Sequence, residues 1–351
     1  MRLAVILSLA AAGACGSESV EVPPPVDAPF TALTGGWLHT CGMTTTKHVY
    51  CWGWNRDGEV GDGSTADRPY AKQVSQSFTF TMVTTGGGHS CAVATGGAAY
   101  CWGLNLTGQI GDSSVISRST PTAVTRGLSF AQVSNGGTFT CGITATDSSA
   151  YCWGWNHDGE LGSRPIETCF TPGGVEPCSR APIPVGGGLR FLTISAGARH
   201  VCALAPDSTA YCWGNNGTGQ LGNGTTADTA LPVAVSGGLK FKELTLGFDH
   251  SCGLTAAGDA YCWGDNTWGQ LGIGSGPPYV FFSTTPVRVL GGLHFRRVNA
   301  DASHTCGATH RRPGVLLGPQ QHGRARRRQQ HESHEAGGRR RRTPLPSGPP
   351  G

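Results

Sequence analysis

The phrase Tyr-Cys-Trp-Gly occurs five times, at Tyr50–Gly53, Tyr100–Gly103, Tyr151–Gly154, Tyr211–Gly214 and Tyr261–Gly264, at intervals of 50, 51, 60 and 50 residues. A fixed period of this length means stacked copies of one supersecondary unit, none of which can bury its apolar surface alone. Each copy carries a cysteine upstream of the phrase (Cys41, Cys91, Cys141, Cys202, Cys252), an Asn two places after its Gly, and then a Gly-x-x-Gly turn such as Gly108-Gln109-Ile110-Gly111. A sixth copy opens at Leu293 and reaches Cys306 before the pattern stops.

Within a copy, apolar and β-branched residues come in short runs broken by Gly, Asn, Asp or Ser, which predicts strands throughout. In the second copy the strands are expected near Phe80 to Thr85, Ser90 to Thr95, Ala98 to Gly103 and Thr120 to Thr125. Four strands per unit make one blade, so the fold class is all-β: a β-propeller of about five complete four-stranded blades plus part of a sixth, over residues 30–308. The Trp of each Cys-Trp-Gly is expected between blades. Composition agrees, with 55 Gly and 22 Pro for the turns and only 14% charged residues, too few for a helical enzyme or a coiled coil.

The paired cysteines are 10 residues apart, or 11 for Cys141/Cys152, with a turn midway. In a hairpin this sets them opposite one another, which predicts cross-strand disulfides Cys41–Cys51, Cys91–Cys101, Cys141–Cys152, Cys202–Cys212 and Cys252–Cys262. The third copy holds an insertion, ETCFTPGGVEPCS, whose Cys169 and Cys178 predict a sixth disulfide stapling an exposed loop. That loop is read either as a recognition element or as a tolerated insertion. A metal site is the competing reading of the cysteines, because His39, His89, His200, His250 and His304 each stand two residues before one. Phe139 replaces the His of the third copy while both cysteines stay, and the spacing is not that of a zinc site, so no metal is expected. The histidines are expected at blade edges, holding a carbonyl or a neighbouring strand.

Met1-Arg2 and the apolar run Leu3 to Ala12 read as an export signal over residues 1–15, too short to span a bilayer. The small residues before Cys15 resemble the lipobox of bacterial lipoproteins, which implies lipidation of Cys15 and a membrane attachment; an ordinary signal-peptidase site after Ala14 is the other reading. Residues 16–29 form a proline-rich linker. At the other end, residues 310–351 hold 10 Arg and 2 Glu, a local +8, so the net charge of +4 leaves −4 for everything before them. Nucleic acid is therefore not expected as a partner of the repeats. The segment 309–351 is expected to be a disordered tail. Reverse-translated with GC-rich codons and read one base away, its start spells a missing Ala-Tyr-Cys-Trp-Gly repeat, which predicts a frameshift. A gene with no such alternative frame would refute it. A polybasic arm for anionic surfaces is the alternative.

The succession Gly-x-x-His-x-Cys-x-Leu and Tyr-Cys-Trp-Gly-x-Asn-x-x-Gly-Gln-Leu-Gly, seen from Gly197 to Gly222 and Gly247 to Gly272, resembles the regulator of chromosome condensation repeat. The resemblance implies a propeller whose full ring has seven blades. The family's namesake is a nuclear exchange factor for a small GTPase, and secreted bacterial relatives include a propeller that inhibits β-lactamase by binding it.

For function, motifs of nucleophilic, zinc-dependent and nucleotide-binding enzymes are absent, and no cofactor is expected. The leading expectation is a non-enzymatic binding scaffold outside the cytosol, in the cell envelope or secreted, recognising a protein or polysaccharide through loops between strands. Trp54 and Trp155, at the variable place in Trp-Gly-x-Asn, and Trp268 are the candidate anchors, with inter-blade packing as their alternative role. A propeller lyase or hydrolase is an alternative, using carboxylates among Asp57, Glu59, Asp158, Glu160 and Asp265; these stand beside Gly and Asn, where solvent-facing turn chemistry is expected. Guanine nucleotide exchange, implied by the resemblance alone, is a third.

Overall fold

The computed structural model describes residues 26–75, 77–164, 167–274 and 280–309, and the backbone of 315–317. The export signal with Cys15, the linker as far as residue 25 and the Arg-rich tail from residue 318 lie outside the described residues.

Among the described residues, six antiparallel sheets follow one another along the chain. Blade one contains β1 (Phe30–Gly35), β2 (His39–Thr44), β3 (Val49–Gly53) and β4 (Arg68–Gln73); blade two contains β5 (Phe80–Thr85), β6 (His89–Ala94), β7 (Ala99–Gly103) and β8 (Arg118–Ala123). Blade three is built from β9 (Phe130–Asn135), β10 (Phe139–Thr144), β11 (Ala150–Trp155), β12 (Glu167–Thr171) and β13 (Gly174–Pro184). Blade four has β14 (Thr193–Ala196), β15 (His200–Leu204), β16 (Ala210–Gly214) and β17 (Thr229–Ala234); blade five has β18 (Phe241–Leu246), β19 (His250–Thr255), β20 (Ala260–Asp265) and β21 (Phe282–Arg288). The sixth sheet has three strands, β22 (Phe295–Asp301), β23 (His304–Thr309) and β24 (Val315–Leu317).

Register explains the cysteines. Cys41 lies directly opposite Cys51, Cys91 opposite Cys101, Cys141 opposite Cys152, Cys202 opposite Cys212 and Cys252 opposite Cys262, and each pair is bonded with Cα atoms 4.0 to 4.1 Å apart. The insertion in blade three is an ordered hairpin rather than a loop, because β-forming Thr168, Phe170 and Val175 flank a Pro172-Gly173 turn. It adds β12 as a fifth strand, and its Cys169–Cys178 disulfide is buried although Phe170 and Val175 are exposed. Pairing also continues past residue 308, where the repeats were expected to end: Thr309 closes β23, and Leu316 stands opposite Cys306 where earlier blades have a second cysteine.

The core is five inter-blade clusters rather than one centre. Cys41, Val49, Cys51 and Val60 of blade one pack against Phe80, Val83 and Trp102 of blade two, and the same arrangement recurs at every later junction. Trp102, Trp153, Trp213 and Trp263 are fully buried, and each Nε1 donates at 2.9 Å to a carbonyl in the preceding blade's Gly-x-x-Gly turn (Glu59, Gln109, Glu160, Gln220). Glycine is required there: Gly111 has φ +77°, and a Cβ on it would fall 2.7 Å from Trp153 Nε1. Trp52, with no described blade before it, is only partly buried.

Candidate functional site

Most repeated polar residues are consumed by the architecture. Asn55, Asn105, Asn156, Asn216 and Asn266 each accept, through Oδ1, the N–H of the third residue of their Gly-x-x-Gly turn, at 2.7 to 3.1 Å. The histidines are latches between blades. His39, His89, His200 and His250 hold through Nε2 the hydroxyls of Ser90, Thr140, Ser251 and Thr305 on the next blade at 2.8 to 2.9 Å, so their partner is a side chain rather than a backbone carbonyl. Where Phe139 replaces the His, Val201 replaces the hydroxyl residue, and both sit in one apolar cluster. Burial lowers these rings from an ordinary pKa of 6.5 to about 4 for His39 and His250 and about 3 for His89 and His200.

The variable place in Trp-Gly-x-Asn is where the blades diverge. In blades four and five it is polar: Gln220 Nε2 donates to Asn215 Oδ1 and Gln270 Nε2 to Asp265 Oδ2, both at 2.6 Å. In blades one to three it is Trp54, Leu104 and Trp155, and the buried residue beneath is Glu59, Gln109 and Glu160. Gln109 Oε1 accepts from the Thr107 N–H and hydroxyl at 3.0 and 2.8 Å, which fixes the amide and leaves Nε2 buried without an acceptor among the described residues. Glu160 Oε1 is likewise buried without a partner.

Beside this apolar sector opens a cavity of about 510 Å³. Leu104 and Leu106 of blade two, Trp155 of blade three, and Trp37 and Phe248 supply its apolar walls. The stapled hairpin contributes Thr171 and Glu176. Trp37 and Phe248 occupy the place held by Gly87, Gly137, Ala198 and Ala302 in the other blades, where all six rim the central channel. Small residues in four blades let the two rings meet at 5.4 Å. Trp37 lies so close over Gly137 that a Cβ there would stand 3.3 Å from its Cζ2. The charged groups of the cavity are already engaged. Arg199 pairs with Asp158 at 3.4 Å, Glu176 with His157 at 2.9 Å, and Asp249 accepts from Gln220 at 3.4 Å. Burial pushes the Asp249 carboxyl up, against the pull of Arg199.

Of the three tryptophans singled out in the sequence, Trp155 lines this cavity with one face stacked on His157, 5.5 Å away. Trp54, 38% exposed under the Arg56 guanidinium, and Trp268, 51% exposed on blade five, lie elsewhere on the surface. Trp37 was not singled out, although it is 54% exposed. Its signal was a large residue at a place that is otherwise Gly or Ala, shared only with Phe248. The expectation of solvent-facing turn carboxylates needs correction for three residues: the Asp158 side chain is only 9% exposed and accepts from Asn215 while pairing with Arg199, and two glutamates lie deeper. Glu59 and Glu160 are buried at blade junctions, where each Oε2 accepts the backbone N–H two residues earlier at 3.0 and 2.9 Å. Burial raises Glu59 to about 7 and Glu160 to about 8.

Comparison with known proteins agrees with this architecture. The human WBSCR16 structure superposes with a TM-score of 0.71 at 20% identity, covering 84% of this chain and 77% of that one. Yeast RCC1 (Prp20), solved with Kap60, gives 0.70 at 20% identity over 82% of this chain and 69% of the other. The ectodomain of the Physcomitrella patens receptor kinase CR4 gives 0.53 at 21% identity, covering 84% and 63%. At these identities the likeness is one of fold. In sequence, 81 residues, 23% of this chain, are 35% identical to the Arabidopsis thaliana ultraviolet-B receptor UVR8, a match spanning 17% of that receptor. The profile of the RCC1-like domain matches residues 10–336, and the chain belongs to that family.

Proposed function

We propose that this chain is a non-enzymatic binding propeller that works outside the cytosol and holds a protein partner on the face bearing Trp37, Leu106, Trp155 and the stapled hairpin. One observation carries the reading: exposed Trp37 and Leu106 and half-buried Trp155, from three blades, converge there beside an ordered, disulfide-braced extension, and such clusters mark interaction sites. Neighbouring structures support a partner-binding role, since yeast RCC1 was solved bound to Kap60 and CR4 supplies a receptor ectodomain. Six disulfides favour an oxidising compartment and disfavour exchange on a cytosolic GTPase. On this reading Cys15 carries the lipid that tethers the propeller.

Binding is favoured over catalysis by where the carboxyls go. Glu59 and Glu160, whose raised pKa values would suit a general acid, are buried under neighbouring blades, and the cavity's Glu176 and Asp249 already have partners. The test is capture from envelope extract by the full oxidised chain, compared with Leu106→Ser/Trp155→Ser and with a variant whose hairpin tip 170–175 is replaced by Gly-Ser. Loss of the same captured protein in both variants is the expected result. Capture unchanged in both would remove this face from consideration.

A further inference from the structure

We propose that the cavity beside Trp37 is a small-molecule site for an uncharged, ring-bearing ligand whose carbonyl oxygen accepts a hydrogen bond from Gln109 Nε2. The proposal rests on the reading of this face as the binding face and goes beyond it by naming a ligand class. The volume of about 510 Å³ falls within the range of sites that enclose small molecules. The walls are two tryptophans, a phenylalanine and two leucines, which favour a flat or cyclic apolar body. Charge is disfavoured, because an anion would have to break the Arg199–Asp158 pair, Glu176 is already held by His157, and burial pushes the Asp249 carboxyl up, toward the neutral form that offers a cation no counter-charge.

The polar requirement comes from the blades themselves. Gln220 and Gln270 give their Nε2 donors to Asn215 and Asp265, but at the matching place above Gln109 stands Leu104, a lining residue of the cavity. Leaving a buried amide donor without an acceptor is unfavourable, and a ligand oxygen would supply what the protein omits. Leu104 must change rotamer to let that oxygen reach the amide, a movement between staggered wells.

The probes are acetophenone and α-methylstyrene, which share a shape and differ in C=O against C=CH2, with benzoate and phenyltrimethylammonium as charged counterparts. Titrated against the oxidised full chain by saturation-transfer NMR, acetophenone should bind roughly tenfold tighter than α-methylstyrene. In Gln109→Leu the ratio should fall to about one; the variant also takes the acceptor from the buried Thr107 N–H, so a lower but still single, cooperative melting transition is the result that shows an intact fold. Leu104→Ala should tighten acetophenone by freeing the amide. Equal affinities on the native chain, a preference that survives Gln109→Leu, tighter binding of either charged probe, or no binding of any probe overturns the proposal. If those results appear while the hairpin and Leu106/Trp155 variants still lose protein capture, the small-molecule site falls and the binding face stands.

Discussion

His89 reaches from blade two to Thr140 of blade three, Nε2 to Oγ1 at 2.9 Å, and its Nδ1 is buried with no partner. Three more rings repeat the contact, so four of the five junctions among the described residues share one titratable latch. Each ring accepts a proton near 6.5 when unfolded but only near 3 or 4 when folded, so stability is lost as pH falls below 6.5 toward those values. Calorimetry from pH 7.5 to 4 should show a steep fall in melting temperature. A flat profile would contradict the burial of these rings.

The Phe139/Val201 junction supplies the control for that experiment. His89→Phe with Thr140→Val copies a pair the fold already uses, and the double variant should lie within about 1.5 kcal/mol of the native chain at pH 7. Its melting temperature should fall less steeply in acid. His89→Phe alone removes one of the two partners of Thr140 Oγ1, which keeps the Gln109 carbonyl at 3.0 Å, and sets an apolar ring against a buried hydroxyl; it should be the less stable of the two.

Glu160 titrates with the opposite sense. Its folded pKa of about 8 stands above the ordinary 4.5, so stability present below pH 4.5 is lost as pH rises through 8. Blades two, four and five carry Gln at this place, and Glu160→Gln should remove the loss. Urea midpoints at pH 6 and pH 9 test it: the native chain should weaken more at pH 9 than Glu160→Gln, whose smaller remaining loss belongs to Glu59, raised to about 7.

Leu104→Asn should give Gln109 Nε2 the acceptor that Asn215 gives Gln220, raising stability by about 1 kcal/mol. Chemical denaturation reads the gain. The same change places an amide in an apolar wall of the cavity, so acetophenone binding should weaken as stability rises.

Trp37 should be dispensable to the fold. Its place is Gly or Ala in four other blades, so Trp37→Ala should shift stability by less than about 1 kcal/mol while weakening ligand binding. A collapse of the melting temperature would make Trp37 structural. Cys91→Ala with Cys101→Ala, by contrast, should cost about 3 kcal/mol, because it frees the unfolded hairpin and leaves a void against the next blade.

The blades were legible because their signals are local. β5 falls on Phe80–Thr85, as the β-branched run predicts, and Cys91 meets Cys101 because both flank one tight turn. The cavity was not legible in the same way, because no single copy contains it. Trp37 and Phe248 are more than two hundred residues apart and meet only when the blades are arranged around the channel. Glu59 and Glu160 were misplaced for a related reason. A Gly-flanked carboxylate reads as solvent-facing until the next blade's tryptophan closes over the turn.

Every Trp-to-turn bond points the same way along the chain, each unit offering a carbonyl to its successor and an indole to its predecessor. Such a joint has direction, like the coupling of railway wagons, and the coupling does not depend on which wagon it joins. A duplication or deletion of about fifty codons in phase with the repeat therefore keeps the Trp-to-turn bond on both sides, while one that separates Phe139 from Val201 mismatches the latch beside it. Genes of this design can lengthen or shorten by recombination between their own copies, and selection can act on each blade's rim residues separately from the joints that hold it.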